Sequence, residues 1–565
     1  MSELVQKNDS HKPLEFILLI LSLAPLGYWA YLQLGQDLWW DELISIKNYA
    51  LADLSANVTV NPDMNNHIFF NLLNNLYTRL IGQRDFYELL GQPIYLRAFQ
   101  LLISAGTIYY SYRFFKDFVD RKSAFIVVAL LVSCVPFLNF SLQLRGYALS
   151  MLLLMMMIYH TYNYIQTGKI FHLSLIAFSI FGSLFTLASN IYIVGSFYII
   201  LLISVVLQQK RKNASSIANA LISIAKERIH IYTFLAVALG LLITFLAYLP
   251  TLDDLLNNRF VDNSPSDRLF VLNTRLVEVM EYLFSYRWPI LLAPAIILYS
   301  RIRKKTDFSW LSLVLFTVVT LPFLLSFLHD KTPYQRTFVI LAPFFNLFLG
   351  ILIFKSLDII HLSNKAKSAI HLGLVIYLST WSFIEIESND KQLLDGLTEG
   401  RKEQNIYRNY YQASRFIPNQ ISRKVAALNS SKTSVLLLDE IDRVSLVFHL
   451  ERFDIPSTSL VRIDNKQTKA QGNTFNRVAV IQQSREKNAD VGFFSFPFNE
   501  ENDTKTNKYD LMLGINTNLR NGEPVYLLSS SSKFLNESVF INQFYNVTLK
   551  DRTGFTHIYQ IDRKQ

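Results

Sequence analysis

Leu38-Trp39-Trp40-Asp41-Glu42 sets two adjacent carboxylates beside two tryptophans, a few residues past the first long apolar run. Tryptophans in that place suit the interfacial belt of a membrane protein. Paired carboxylates at an apolar boundary suit general-base work, because a carboxylate stripped of water holds a proton more readily. The structural alternative is that Asp41 caps the following helix. A second polar cluster is Asn61-Pro62-Asp63-Met64-Asn65-Asn66-His67. Pro62 can break one helix and start the next, and Asp63 and His67, at i and i+4, would then share a helix face. That pair could hold a metal, a phosphate or a sugar hydroxyl. The alternatives are a capped polar first turn, with His67 as a hydrogen-bonding orienter.

Two further signals are arginines between apolar segments: Gln143-Leu144-Arg145-Gly146-Tyr147 and Asp330-Lys331-Thr332-Pro333-Tyr334-Gln335-Arg336. An arginine among apolar helices is costly unless it faces a polar cavity or the interface. There it can grip an anionic head group in bidentate fashion, or snorkel to water. Arg97 is read as a snorkelling residue.

The elements that must position these residues are membrane helices. The chain has 565 residues, 51% hydrophobic and 17% charged, too apolar for an ordinary soluble protein of this size. Apolar runs of roughly 20 residues, the length of a spanning helix, recur from Glu15 to Ile384 and give about eleven spans. They begin at residues 15, 94, 123, 147, 173, 191, 231, 289, 310, 337 and 368. The first is read as a retained anchor, because no small-residue cleavage site follows it. The net charge of +10 lies largely between apolar runs, where it sets orientation rather than marking a nucleic-acid face. Lys116, Arg121, Lys122, Lys169, Lys210, Arg301, Lys304 and Lys355 fall in one alternating set of loops. That set is expected in the cytoplasm, with the N-terminus. Asp37, Asp41, Glu42, Asp53, Asp63, Asp85 and Glu88 fall in the other set. The lone cysteine, Cys134, excludes an intrachain disulfide and a cysteine-based metal site.

The large first outer loop, residues 35–93, repeats apolar residues at helical spacing: Leu43, Ile46, Tyr49, Ala50 and Leu54, then Ile68, Leu72, Leu76 and Leu80. Amphipathic helices at the membrane surface are expected there. The expected fold is therefore mainly α: a polytopic membrane helical bundle over 1–384, and a soluble α/β domain over 385–565 outside the membrane. Strands are expected at Val435–Asp439, Arg477–Gln482, Val525–Ser529 and Thr556–Ile561, and a helix at Val444–Arg452.

The order of these features resembles the GT-C superfamily of membrane glycosyltransferases, in particular its protein O-mannosyltransferase and lipid A aminoarabinose transferase branch. Asp41-Glu42 matches the acidic pair of that family's first outer loop. Asn65-Asn66-His67-Ile68 matches its polar helix-opening motif, with Ile68 where a proline usually follows the histidine. Arg145-Gly146-Tyr147 matches an Arg-x-Tyr pattern, and Arg336 with Pro343 matches a late arginine followed by a Pro-bearing helix. The resemblance covers the membrane part of the chain.

It implies inverting transfer of a sugar from a polyprenyl-phosphate donor to an acceptor hydroxyl on a glycan, lipid or protein. It implies Asp41 as general base, Glu42, Asn66, His67 and Tyr147 around the substrates, and Arg145 and Arg336 on the leaving phosphate. No cofactor is required, though some members use a divalent metal, for which Asp63 and His67 are the candidate ligands. The implied partners are the lipid donor, the acceptor and membrane lipids, with no nucleic acid, at a bacterial plasma membrane. The C-terminal domain reads as an acceptor-side or gating module, or as a purely structural one. The competing class is a transporter or flippase of lipid-linked glycans, which would place ionisable residues near the bilayer midplane.

Overall fold

The computed structural model of the chain describes residues 12–35, 38, 40–59, 66–213, 219, 223–224, 227–253, 276–302 except 278 and 286, 310–328, 335–360, 363–398, 423–424, 434–437, 493–495, 525–529, 543–553 and 556–564. They fall into two compact units: residues 1–35, 44–84 and 94–386, and residues 36–43, 85–93 and 387–565.

The protein is a polytopic helical membrane protein. In chain order, its helices are α1 (Lys12–Gln33), α2 (Trp40–Ser45, continued by a π-helix over Ile46–Ala50), α3 (Leu54–Thr59), α4 (Ile68–Leu80), α5 (Phe86–Gly91) and α6 (Ile94–Phe118). Then come α7 (Ala124–Val132), α8 (Val135–Ser141), α9 (Tyr147–Thr167), α10 (Phe171–Thr186), α11 (Ile191–Asn213) and α12 (Arg228–Tyr248). The last are α13 (Leu292–Ile302), α14 (Trp310–Leu328), α15 (Gln335–Phe338), α16 (Ala342–Ile359) and α17 (Asn364–Thr398).

Every expected span falls on a helix, but the count of eleven is not confirmed. Among the described residues, five helices are long and apolar enough to cross: Leu14–Gln33, Ala188–Lys210, Arg228–Thr251, Val339–Ile359 and Lys365–Glu387. The bent pair α7–α8 makes a sixth if it is one span. The others fall short for identifiable reasons: α10 has 16 residues, and α6 has 25 but carries a polar stripe.

That stripe is turned inward. Arg97, Gln100, Ser104, Thr107 and Ser111 recur at three- and four-residue steps along α6, and all are fully buried. Leu102 and Tyr109 on the other side are exposed. Such an inside-out helix places its apolar side outward and its polar side where other helices supply partners. Helix α12 shows the alternative solution. Its large side chains (Leu235, Leu239, Leu242 and Phe245) face outward, while Thr233, Ala236, Gly240 and Thr244 are buried. Gly240 lets its backbone approach α10: a Cβ there would stand 2.8 Å from Ala177 O and 2.9 Å from Ile180 Cβ. Small residues at such steps are the usual way for membrane helices to close-pack.

Helices α7 and α8 meet at a bend of 72°. A break inside a membrane bundle strands carbonyls that no water can reach. Arg287 satisfies one of them, Leu130 O, and ties it to its own segment. Its Nη1 donates to Leu130 O (2.6 Å), Ser133 Oγ (3.0 Å) and Asn346 Oδ1 (3.1 Å). Its Nη2 donates to Leu283 O and its Nε to Phe284 O, both at 2.8 Å. Beside it Ser285 adopts φ 52°, a left-handed turn, and its Oγ accepts from Val135 N at the start of α8 (3.0 Å). Arg287 is fully buried and all five of these partners are neutral.

The second unit holds a five-stranded sheet of order β2-β1-β3-β5-β4, with β1 (Ser434–Leu437), β2 (Phe493–Ser495), β3 (Val525–Ser529), β4 (Tyr545–Thr553) and β5 (Thr556–Arg563). β1 pairs in parallel with β2 and β3, and β3, β5 and β4 are antiparallel. Tyr545, Ile558, Tyr559 and Ile561 are buried, with Tyr559 and Ile561 on one face of β5 and Ile558 on the other. The expected strands at 435, 525 and 556 are present; the expected elements at 444–452 and 477–482 lie outside the described residues. β2 and β4 were not expected.

Replacing Arg287 by Met should strand Leu130 O at the α7–α8 bend, with Leu283 O and Phe284 O beside it. The cost should be on the order of 3 kcal/mol or more, read as a fall in thermal midpoint in detergent. A midpoint equal to wild type would show that the bend does not depend on Arg287.

Candidate functional site

The segment between α1 and α6 is built around α4. Its buried face is polar (Asn71, Asn74, Asn75 and Thr78), while Leu76 is half-exposed and Leu80 is 83% exposed. The expected apolar stripe from Ile68 to Leu80 is therefore buried at one end and bare at the other. The polar face caps the π-helix. Asn75 Nδ2 donates to Tyr49 O (3.3 Å) and Ala52 O (2.7 Å). Arg84 Nη1 donates to Ala50 O (3.0 Å) and Nη2 to Leu51 O (2.6 Å). Burial of the guanidinium pulls the Arg84 pKa below its ordinary value. These bonds take up the carbonyls that a helix end leaves open. Leu43, Ile46 and Tyr49 supply the apolar side of the segment. A π-helix is rare, and where it occurs it often marks a functional site.

Asp41 and Glu42 stand in the first turn of α2, where the helix dipole favours negative charge. Glu42 is fully buried and Asp41 half-buried. Asp41 is the second residue of the helix, whereas a cap precedes the first helical residue. Asp41 and Ser45, four apart, share a face of α2.

Arg145 is 4% exposed and does not snorkel. Its Nη1 donates to Ser45 Oγ at 2.8 Å. Arg145 closes the irregular stretch 142–146 between α8 and α9, where its own N–H bonds Gln143 O (2.7 Å). Gln100 Nε2, on the inward stripe of α6, pins that stretch by donating to Phe140 O (3.3 Å) and Arg145 O (3.2 Å). Tyr147 is the first residue of α9, as expected from its pattern.

His67 meets the same stretch from the other side. Its ring stands edge-on to Tyr147, with centroids 5.0 Å apart. Its Nδ1 lies 3.3 Å from Thr186 O, so that nitrogen carries the proton and donates. Gly146 fits between them: a Cβ there would stand 2.4 Å from Thr186 Cγ2 and 2.9 Å from His67 Cβ and Cγ. The expectation that His67 shares a helix face with Asp63 is corrected. His67 precedes α4 with non-helical φ −88° and ψ 77°, held there by the Thr186 carbonyl and the Gly146 backbone. Asn66 beside it accepts through Oδ1 from Asn71 Nδ2.

The structure thus gathers Asn66, His67, Arg145 and Tyr147. Asp63 lies outside the described residues, as does the side chain of Arg336, whose backbone belongs to α15. Arg97 is fully buried, its Nη1 donating to Gln33 O at the end of α1, which corrects the snorkelling reading. Sequence reasoning missed Ser45, Gln100, Thr186 and Arg287, whose contacts span 45 to 157 residues. The inward stripe of α6 was a local signal for Gln100; the others had none. For a divalent metal, His67 would offer Nε2, since Nδ1 is committed to Thr186. No group of three or more His, Cys, Asp or Glu arranged for a metal occurs among the described residues.

Gly146→Ala should destabilise the protein by about 1–3 kcal/mol, because the added methyl meets Thr186 and His67 with no room to yield. Gly195→Ala, where nothing lies within 4 Å, serves as the control and should cost nothing measurable. Equal thermal midpoints for the two variants would show that His67 and Thr186 are not packed on Gly146.

No protein-family model and no curated relative match this sequence. Among solved structures, the chain is similar to ArnT from Cupriavidus metallidurans in the apo state, with 11% identity and a TM-score of 0.49 over 97% of this chain and 98% of that one. It is similar to the same protein bound to undecaprenyl phosphate, with 11% identity and a TM-score of 0.47 over 98% of each chain. It is also similar to the Archaeoglobus fulgidus oligosaccharyltransferase in complex with Zn and sulfate, with 14% identity and a TM-score of 0.43 over 78% of this chain and 61% of that one. Both proteins are GT-C superfamily members, the superfamily whose motifs this sequence resembles. At these identities and TM-scores the likeness assigns this chain no donor, acceptor or base.

Proposed function

We propose that the protein is a membrane glycosyltransferase that moves a sugar from a polyprenyl-phosphate carrier to an acceptor hydroxyl at the outer membrane face, with inversion. The observation that carries this reading is the buried Arg145, bonded to Ser45 Oγ and set in the stretch that packs on His67. A buried guanidinium is suited to hold a lipid phosphate by charge-assisted hydrogen bonds.

Asp41 takes the proton of the acceptor hydroxyl as its oxygen attacks the anomeric carbon. The bond from that carbon to the phosphate oxygen breaks, and the phosphate leaves with the electron pair. Arg145 and Arg336 neutralise the charge that builds on it. Glu42, Asn66, His67 and Tyr147 orient the sugar and the acceptor. A carrier that stays in the bilayer fixes its reacting carbon at the interface, and a positioned pair of reactants lowers the barrier without further chemistry. A metal, where one binds, would add charge to the leaving phosphate, and no step above depends on it. The N-terminus is assigned to the cytoplasm and residues 385–565 to the outside, at a bacterial plasma membrane.

Asp41→Asn should lower transfer by roughly 10²–10⁴-fold, the usual share of a general base, with expression and insertion unchanged. Arg145→Ala should weaken binding of the bare carrier phosphate by about 10–100-fold, as expected for lost charge-assisted hydrogen bonds. Transfer is measured in detergent micelles, where there are no two sides to cross. Asp41→Asn with full transfer would remove the assigned base. A wild-type protein that moves the glycan across a vesicle membrane but transfers nothing in micelles would be a flippase.

A further inference from the structure

We infer that Gln100 and Gln143, with Asn66, form a subsite that reads the hydroxyls of the transferred sugar, and that this sugar is a neutral one. The inference rests on the proposed glycosyl transfer and adds residues that the motifs did not name.

All three side chains are more than nine-tenths buried. Each has one polar atom without a hydrogen-bond partner among the described residues: Gln100 Oε1, Gln143 Oε1 and Asn66 Nδ2. For Gln100 the chemistry of the bonded atoms fixes which atom is left over. Gln100 gives its Nε2 to two carbonyls, Phe140 O and Arg145 O, so only a nitrogen can sit there and the oxygen must point elsewhere. Asn66 pairs with the Asn71 amide through one side-chain atom and leaves the other open.

The three surround one short stretch of backbone. Gln100 bonds the carbonyl of Arg145, Gln143 lies two residues before it, and Asn66 adjoins the His67 that packs on Gly146. A buried amide oxygen without a donor costs about 1–3 kcal/mol. The same cost repeated around the one buried arginine of this stretch is better read as a built site than as three separate faults.

Three open amide atoms, one of them the Gln100 oxygen, match hydroxyl groups, which both donate and accept. They do not match a carboxylate, which could not donate to the Gln100 oxygen. Arg145 supplies the charge for the phosphate, so the ring beside it needs only neutral partners. A site that binds a hydroxyl through otherwise stranded groups discriminates strongly against ligands that lack it. The three atoms are sealed as they stand. Sugar hydroxyls would reach them by repacking of side chains around the non-helical stretch 142–146, whose backbone stays held by Gln100.

The test compares two probes on the detergent-solubilised full chain: undecaprenyl phosphate, and undecaprenyl phosphate carrying a glucosyl, mannosyl or galactosyl group. Wild type should bind at least one glycosylated carrier more tightly than the bare carrier. Gln143→Met, close in shape, should leave bare-carrier affinity within about twofold and weaken the preferred glycosylated carrier about tenfold, the loss of one buried hydrogen bond. Gln143→Glu, which keeps an acceptor, should retain most of that preference and guards against a folding defect in the first variant. Equal weakening of both probes would make Gln143 a structural residue and overturn the subsite. Unchanged affinity for both would mean that water alone meets these atoms, and would overturn it too. Absence of any carrier binding by wild type would defeat the transferase reading itself, and the subsite with it; carrier binding without a sugar preference would defeat only the subsite.

Discussion

Hydrocarbon offers no hydrogen bonds, so each polar group inside a membrane bundle must find its partner within the protein. That constraint shapes this chain more than apolar attraction does, since lipid tails are as apolar as leucine. It turns the stripe from Arg97 to Ser111 on α6 inward. It sets Arg287 against the bend between α7 and α8, where it donates to Leu130 O of the broken helix. It makes helix α4 polar on its buried side, so that Asn75 and Arg84 can close the end of the π-helix.

The candidate site follows from the same rule. The guanidinium of Arg145 is buried against Ser45, and its backbone carbonyl is held by Gln100. Gly146 admits His67 and Thr186 to within contact of the chain, and His67 is fixed in one tautomer by a carbonyl. Helices thus carry or flank the polar groups, while the irregular backbone at 142–146 is short and packed on both sides. Rigid support around a small irregular segment is what a site of defined geometry requires.

Much of the helical layout was legible in the residues. The apolar runs starting near 94, 123, 147, 191 and 310 became helices, because length and apolarity are local properties. Tyr147 opens α9, and Val525–Ser529 is a strand. The spans were harder to count, because helices such as α6 hide polar residues inside the bundle and fail a test of apolarity. The motifs Asn66-His67 and Arg145-Tyr147 were visible separately, but their meeting at Gly146 was not, since it depends on Thr186 and on packing between distant helices. His67 looked helical by spacing, yet a single carbonyl at Thr186 outweighs that local preference. Arg287 gave no signal of its own, because the bend it supports is set by residues about 150 positions earlier.

The proposed transfer stands on a lipid phosphate held at Arg145, with Asp41 as the base. A structure of the full chain with a bound polyprenyl phosphate tests it most directly. The expected result is a phosphate oxygen roughly 2.7–2.9 Å from an Arg145 nitrogen, with the Asp41 carboxylate facing the side from which an acceptor would attack. A phosphate bound away from Arg145, or an Asp41 carboxylate turned from any space that the phosphate reaches, would contradict it.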